Sequence, residues 1–102
     1  MTPFDAAVRG ALESLPAEIT AKLENVAVVV EESNRDEPDL YGLFERPDEY
    51  LPAQISIYRE PLEADFGDDA AALEHEIRVT LLHELAHYFG IDETRLDELG
   101  YG

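Results

Sequence analysis

The chain has 102 residues, with 24 acidic against 7 basic side chains, a formal net charge of −17 and an apolar share of 45%. That share is too high for an intrinsically disordered chain, and the length suits one domain, residues 1–102, with one modest core. The charge works against nucleic acid and anionic membrane surfaces as partners, and the absence of cysteine excludes disulfides and thiolate metal sites.

No apolar run approaches the roughly 20 residues of a membrane span. The longest uncharged β-rich stretch is Val26 to Val30, and Met1–Asp5 lacks the basic-then-apolar pattern of a signal peptide, so a cytoplasmic location is expected.

Thr2 can cap a first helix, with Pro3 at its first position and Asp5 in its first turn. Phe4, Val8, Ala11, Leu12 and Leu15 then recur at helical spacing. Pro16 ends that helix and opens a shorter one carrying Ile19 and Leu23. Val26–Val30, filled with β-branched residues, reads as a buried strand. A polar loop over 33–39 leads to a second strand, Leu40–Phe44, and a loop with Pro47 and Pro52 leads to a third, Gln54–Tyr58. Pro61 breaks that strand, and a turn or short helix follows. Gly67-Asp68-Asp69 then marks the start of a long helix predicted from about Asp69 to Phe89, with a last short helix over Glu93–Leu99.

The long helix carries His83-Glu84-Leu85-Ala86-His87. Residues four apart lie on one helical face with Cβ atoms about 5–6 Å apart. Both imidazoles can therefore reach one zinc ion at about 2.0–2.1 Å. Glu84 follows the first histidine, where HExxH hydrolases keep their general base. Thr80 and Glu76 share the histidine face, whereas Leu82, Leu85, Ala86 and Phe89 lie behind it. The helix is thus expected to pack on the sheet with its back and to offer the histidines to a cleft. His75 points away from the pair and reads as a surface residue. Gly90 can adopt positive φ, stop the helix and turn the chain back, so that a carboxylate just beyond it can serve as a third ligand.

Fifteen residues follow His87 in this sequence, too few for a third ligand on a second helix twenty or more residues on. Metzincins place a histidine ten positions after the first; here that position is Glu93, and the sole methionine is Met1. The remaining candidates are Glu93, Asp92 and Asp97. Asp92 also suits the N-cap of the final helix. The favoured metal set is His83, His87 and Glu93 around Zn2+.

The run His-Glu-Leu-Ala-His-Tyr-Phe-Gly-Ile-Asp-Glu resembles the aspartate-zincin pattern, with Glu93 where that pattern has aspartate. Residues 23–31, 54–62, 78–87 and 95–100 together resemble the short bacterial minimal zincins. The resemblance implies an α+β fold in a single zincin-like domain. In it a small three- or four-stranded sheet packs on a long HExxH helix, with short N- and C-terminal helices. It also implies a metallopeptidase, in which a zinc-bound water attacks a peptide carbonyl with Glu84 as general base. A peptide or protein substrate is the expected partner, with neither nucleic acid nor membrane; nothing in the sequence fixes an oligomeric state. Tyr41, Tyr58, Tyr88 and Tyr101 are possible donors to an oxyanion, each equally suited to packing. The Gln54–Tyr58 strand is the expected sheet edge along which substrate lies. The alternative is a zinc-binding interaction or regulatory module without catalysis.

Overall fold

In the computed structural model, which describes residues 2–90 and 93–98 (at Glu93 and Leu96 the backbone alone), Thr2 caps the first helix through its side-chain oxygen. That oxygen accepts from the Asp5 N–H at 3.0 Å. The helix, α1, spans Pro3–Glu13, and α2 spans Ala17–Lys22 after the break at Pro16. A single 3-10 turn, Leu23–Asn25, delivers the chain into β1, Val26–Glu31. The other strands are β2, Gly42–Glu45, and β3, Ala53–Tyr58. Pro61 lies in the first turn of α3, Arg59–Phe66, where its missing N–H is tolerated. The long helix α4 spans Ala70–Phe89, with the Asp69 carboxylate accepting from the Ala71 and Ala72 N–H groups. A short helix, α5, spans Glu93–Glu98. Among the described residues no helix is long and apolar enough to cross a membrane.

The fold is α+β, with a three-stranded mixed sheet in the order β1-β3-β2. β3 pairs parallel with β1 and antiparallel with β2. This corrects two expectations. Gln54–Tyr58 belongs to the central strand and offers no free edge. Val26–Val30 forms an edge strand, half-buried and exposed at Val30, because only β3 borders it. The β-branched run reports strand propensity but not how many neighbours cover the strand.

The core joins Phe4, Val8 and Ala11 of α1 to Leu73, Ile77, Leu81 and Leu85 of α4, with Ile55 and Ile57 of β3 and Leu62 of α3. The back of α4 therefore packs on the sheet, as the sequence predicted, through Ile55 and Ile57 of β3 and along β2, and α1 joins it in the same core. Contact between α1 and α4 is close. A methyl group on Gly10 would meet the Glu74 carboxylate, which pairs with the poorly exposed Arg78 at 3.0 Å. Arg78 also donates from Nε to the Ser14 hydroxyl at 2.6 Å, tying α4 to the end of α1. Arg59 bridges Glu32 and Glu63, which fastens α3 to the end of β1.

Candidate metal centre

His83 and His87 are exposed, one turn apart on α4. Neither ring forms a hydrogen bond to a described residue, so their nitrogens are open to a ligand. Leu82, Leu85 and Ala86, interleaved with them, are buried and hold this turn of the helix against the core. His75 is exposed, two turns toward the helix start. Gly90 ends the helix at φ 69°, and its N–H donates to the Ala86 carbonyl; this is the left-handed stop that the sequence called for.

Glu84 is half-buried beside β2, with the backbone N–H of Phe44 near enough to its carboxylate to favour the charged form. Strand register explains why that N–H is available. Tyr58 N–H donates to the Tyr41 carbonyl at 2.9 Å, and in an antiparallel pair the bonded positions alternate. Gly42 and Phe44 therefore turn their polar backbone groups outward, toward α4. Thr80 covers Gly42 so closely that a Cβ there would lie 2.6 Å from the Thr80 methyl carbon. α4 thus packs against β2: Thr80 sits on Gly42, and Glu84 lies near the Phe44 N–H. Burial pushes the Glu84 carboxyl above the ordinary carboxylate range. The charge of His87, the Phe44 N–H and the charge of His83 hold part of that rise back.

Phe44, Arg46, Glu84, His87 and Tyr88 line a pocket of about 230 Å³. Tyr88 stacks on Phe44 with ring centroids 4.1 Å apart and meets Phe89 edge-on at 4.8 Å. Lys22 of α2 sits over the Phe89 ring at 5.1 Å. This chain of contacts clamps the end of α4 between β2 and α2. A wider groove of about 910 Å³ adjoins the pocket at Tyr88 and is lined in part by Val26, Leu51, Pro52, Ala53 and Phe89.

Of the tyrosines considered from the sequence, Tyr88 borders this pocket. Tyr41 is bonded to Asp65, and the buried Tyr58 hydroxyl accepts from Asn34; Tyr101 lies outside the described residues. Arg46 and the Phe44 N–H were not read from the sequence. Outward-facing backbone carries no sequence signal, and an isolated arginine beside a loop reads as a surface charge.

Among the described residues no three His, Cys, Asp or Glu side chains come together as a metal cluster. Asp92 and the Glu93 side chain fall outside that set, and Asp97 is exposed on α5. α5 itself is fastened to α2 by Arg95, which bridges Glu18 and pairs with Glu98. The donor chemistry fits zinc: two unengaged imidazoles on one helical face, with further carboxylates in the sequence just after the helix stop at Gly90.

An α+β scaffold whose long helix presents paired histidines and a shielded glutamate beside a short sheet is the arrangement of a zincin. The family model described as Zincin-like metallopeptidase matches residues 23–102, and the chain belongs to that family. The match begins at the turn before β1 and leaves out α1, although α1 provides the main support for α4. A search of curated proteins returned no significant match.

Proposed function

We propose that this chain is a zinc-dependent peptidase in which His83 and His87, with Glu93 as third ligand, hold the metal and Glu84 is the general base. When bound, the cation supplies Lewis acidity to a substrate carbonyl and to water. The observation that carries the proposal is the setting of Glu84. It is half-buried, one residue from a histidine on the same turn, and it borders a pocket shared with His87. A purely structural zinc site has no need for such a group, because four protein ligands close it.

Glu84 takes a proton from the attacking water and delivers it to the leaving amine. The nearby Phe44 N–H favours the charged form of its carboxyl, the form a base requires. Tyr88, stacked on Phe44, forms a wall of the pocket. The decisive experiment is Glu84→Gln. The variant should bind zinc stoichiometrically and lose hydrolysis of an unstructured protein such as casein. Unchanged hydrolysis would remove Glu84 as the base.

A second reading, a zinc-binding regulatory module without turnover, draws on one observation: the pocket beside Glu84 is small, about 230 Å³, and leaves little wall for a substrate cleft. Stoichiometric zinc without cleavage of any peptide in a diverse library would favour it.

A further inference from the structure

We propose that Arg46 is a specificity residue that seats a carboxylate of the peptide substrate in the pocket next to Glu84 and His87. Its assignment to a substrate, as opposed to any other anion, rests on the peptidase reading above.

Arg46 follows β2 directly, and its side chain lines the 230 Å³ pocket with Phe44, Glu84, His87 and Tyr88. Charge and place together mark this position. The chain carries 24 acidic residues and only seven basic ones. Arg59, Arg78 and Arg95 are held in ion pairs, and Lys22 lies over Phe89. Arg46, like Arg9 and Arg35, forms no ion pair with any described residue, but of these three it is the one that lines the pocket with Glu84 and His87. A guanidinium left unneutralised in so acidic a chain, at the mouth of the pocket that holds the candidate base, is a local anion site within a repulsive field.

One further observation narrows its role. A donor that stabilises a developing oxyanion has to be fixed in advance. Arg46 is exposed, and no described residue holds its side chain by a hydrogen bond. It is therefore placed for capture of an anion from solution and not for transition-state geometry. Among the side chains that line the pocket, Arg46 carries the full positive charge. A carboxylate is the peptide group that a guanidinium fork matches in two-point geometry. It can come from an acidic side chain or from the peptide C-terminus.

The test uses metal-free protein, so that no probe carboxylate can ligate zinc. Three probes are titrated: N-acetyl-Leu-Leu-Leu with a free C-terminus, N-acetyl-Leu-Glu-Leu-amide, and N-acetyl-Leu-Leu-Leu-amide. Binding is followed by the NMR signals of the Arg46 Nε–H and the Phe44 amide. At least one carboxylate probe is expected to bind about fivefold tighter than the neutral amide, the upper range for an exposed ion pair. The probe that shows the preference identifies the source of the carboxylate. Arg46→Gln should bring the ratio to one or below, because the remaining field of the chain repels anions. Equal affinity for the three probes, or a preference that survives in Arg46→Gln, would overturn the proposal. Hydrolysis is not read here, so failure of the carboxylate site is separable from failure of the peptidase reading, which Glu84→Gln tests with zinc present.

Discussion

Gly42→Ala probes the contact that sets α4 against β2. The added Cβ would lie 2.6 Å from the Thr80 methyl carbon and 3.1 Å from the Ser56 carbonyl oxygen. The methyl group cannot simply rotate away, because Thr80 Oγ1 is bonded to the Glu76 carbonyl at 2.8 Å and would have to give up that bond. Relief requires α4 to back away from the strand. Overpacking of this kind destabilises by about 1–3 kcal/mol. In a domain of this size each kcal/mol lowers Tm by roughly 4–8 °C. Thr80→Ser removes the offending carbon and keeps the hydroxyl; alone it costs about 0.8 kcal/mol for the lost methyl contact. In the double variant most of the clash is gone, so the two substitutions should couple favourably by at least about 0.5 kcal/mol. Thermal or urea denaturation of the four proteins yields the coupling energy. Amide exchange at Phe44 supplies a local readout, since backing α4 away opens the Phe44 N–H beside Glu84 to water; protection should fall in Gly42→Ala and recover in the double variant. Strictly additive stabilities, or unchanged Phe44 protection in Gly42→Ala, would refute the claim that Thr80 and Gly42 set the position of the candidate base.

Other outcomes follow from the same geometry. His83→Ala and His87→Ala should each abolish stoichiometric zinc by elemental analysis, and Glu93→Ala should weaken zinc more than Asp92→Ala; the reverse order would exchange those two roles. Gly90→Ala places a side chain at φ 69° with open space around it, so only backbone strain acts, about 1–2 kcal/mol. Gly90→Asn should recover part of that loss in the same denaturation assay. Tyr41 should titrate near pH 12 by ultraviolet absorbance, because its hydrogen bond to the Asp65 carboxylate favours the neutral phenol. The folded-state value is raised from 10.0, so the stability from this bond is complete below pH 10 and disappears as pH rises through about 12. Asp65→Asn should return the tyrosine to its ordinary range.

Much of this molecule is written in local chemistry. Thr2-Pro3 begins α1, Pro16 divides it from α2, Asp69 caps α4 and Gly90 stops it; each acts within a turn of its own position, so the residue type alone specifies the outcome. The His83–His87 spacing is legible for the same reason, since helical periodicity puts both rings on one face wherever the helix packs. Strand order is a different matter. Gln54–Tyr58 and Val26–Val30 carry similar propensity, yet the first is enclosed by two neighbours and the second lies at the edge. Which strand takes the centre depends on pairings between residues some 27 positions apart, such as Val28 with Ile55, to which local pattern is blind. The packing of α4 on α1, the close approach of Thr80 to Gly42, and the arrival of Arg46 beside Glu84 and His87 are likewise decided only in three dimensions. They depend on the distance and register between elements, set by the collective burial of the core and not by any single residue. The sequence alone therefore determined the helix that offers the imidazoles, whereas tertiary packing determined what stands across the pocket from them.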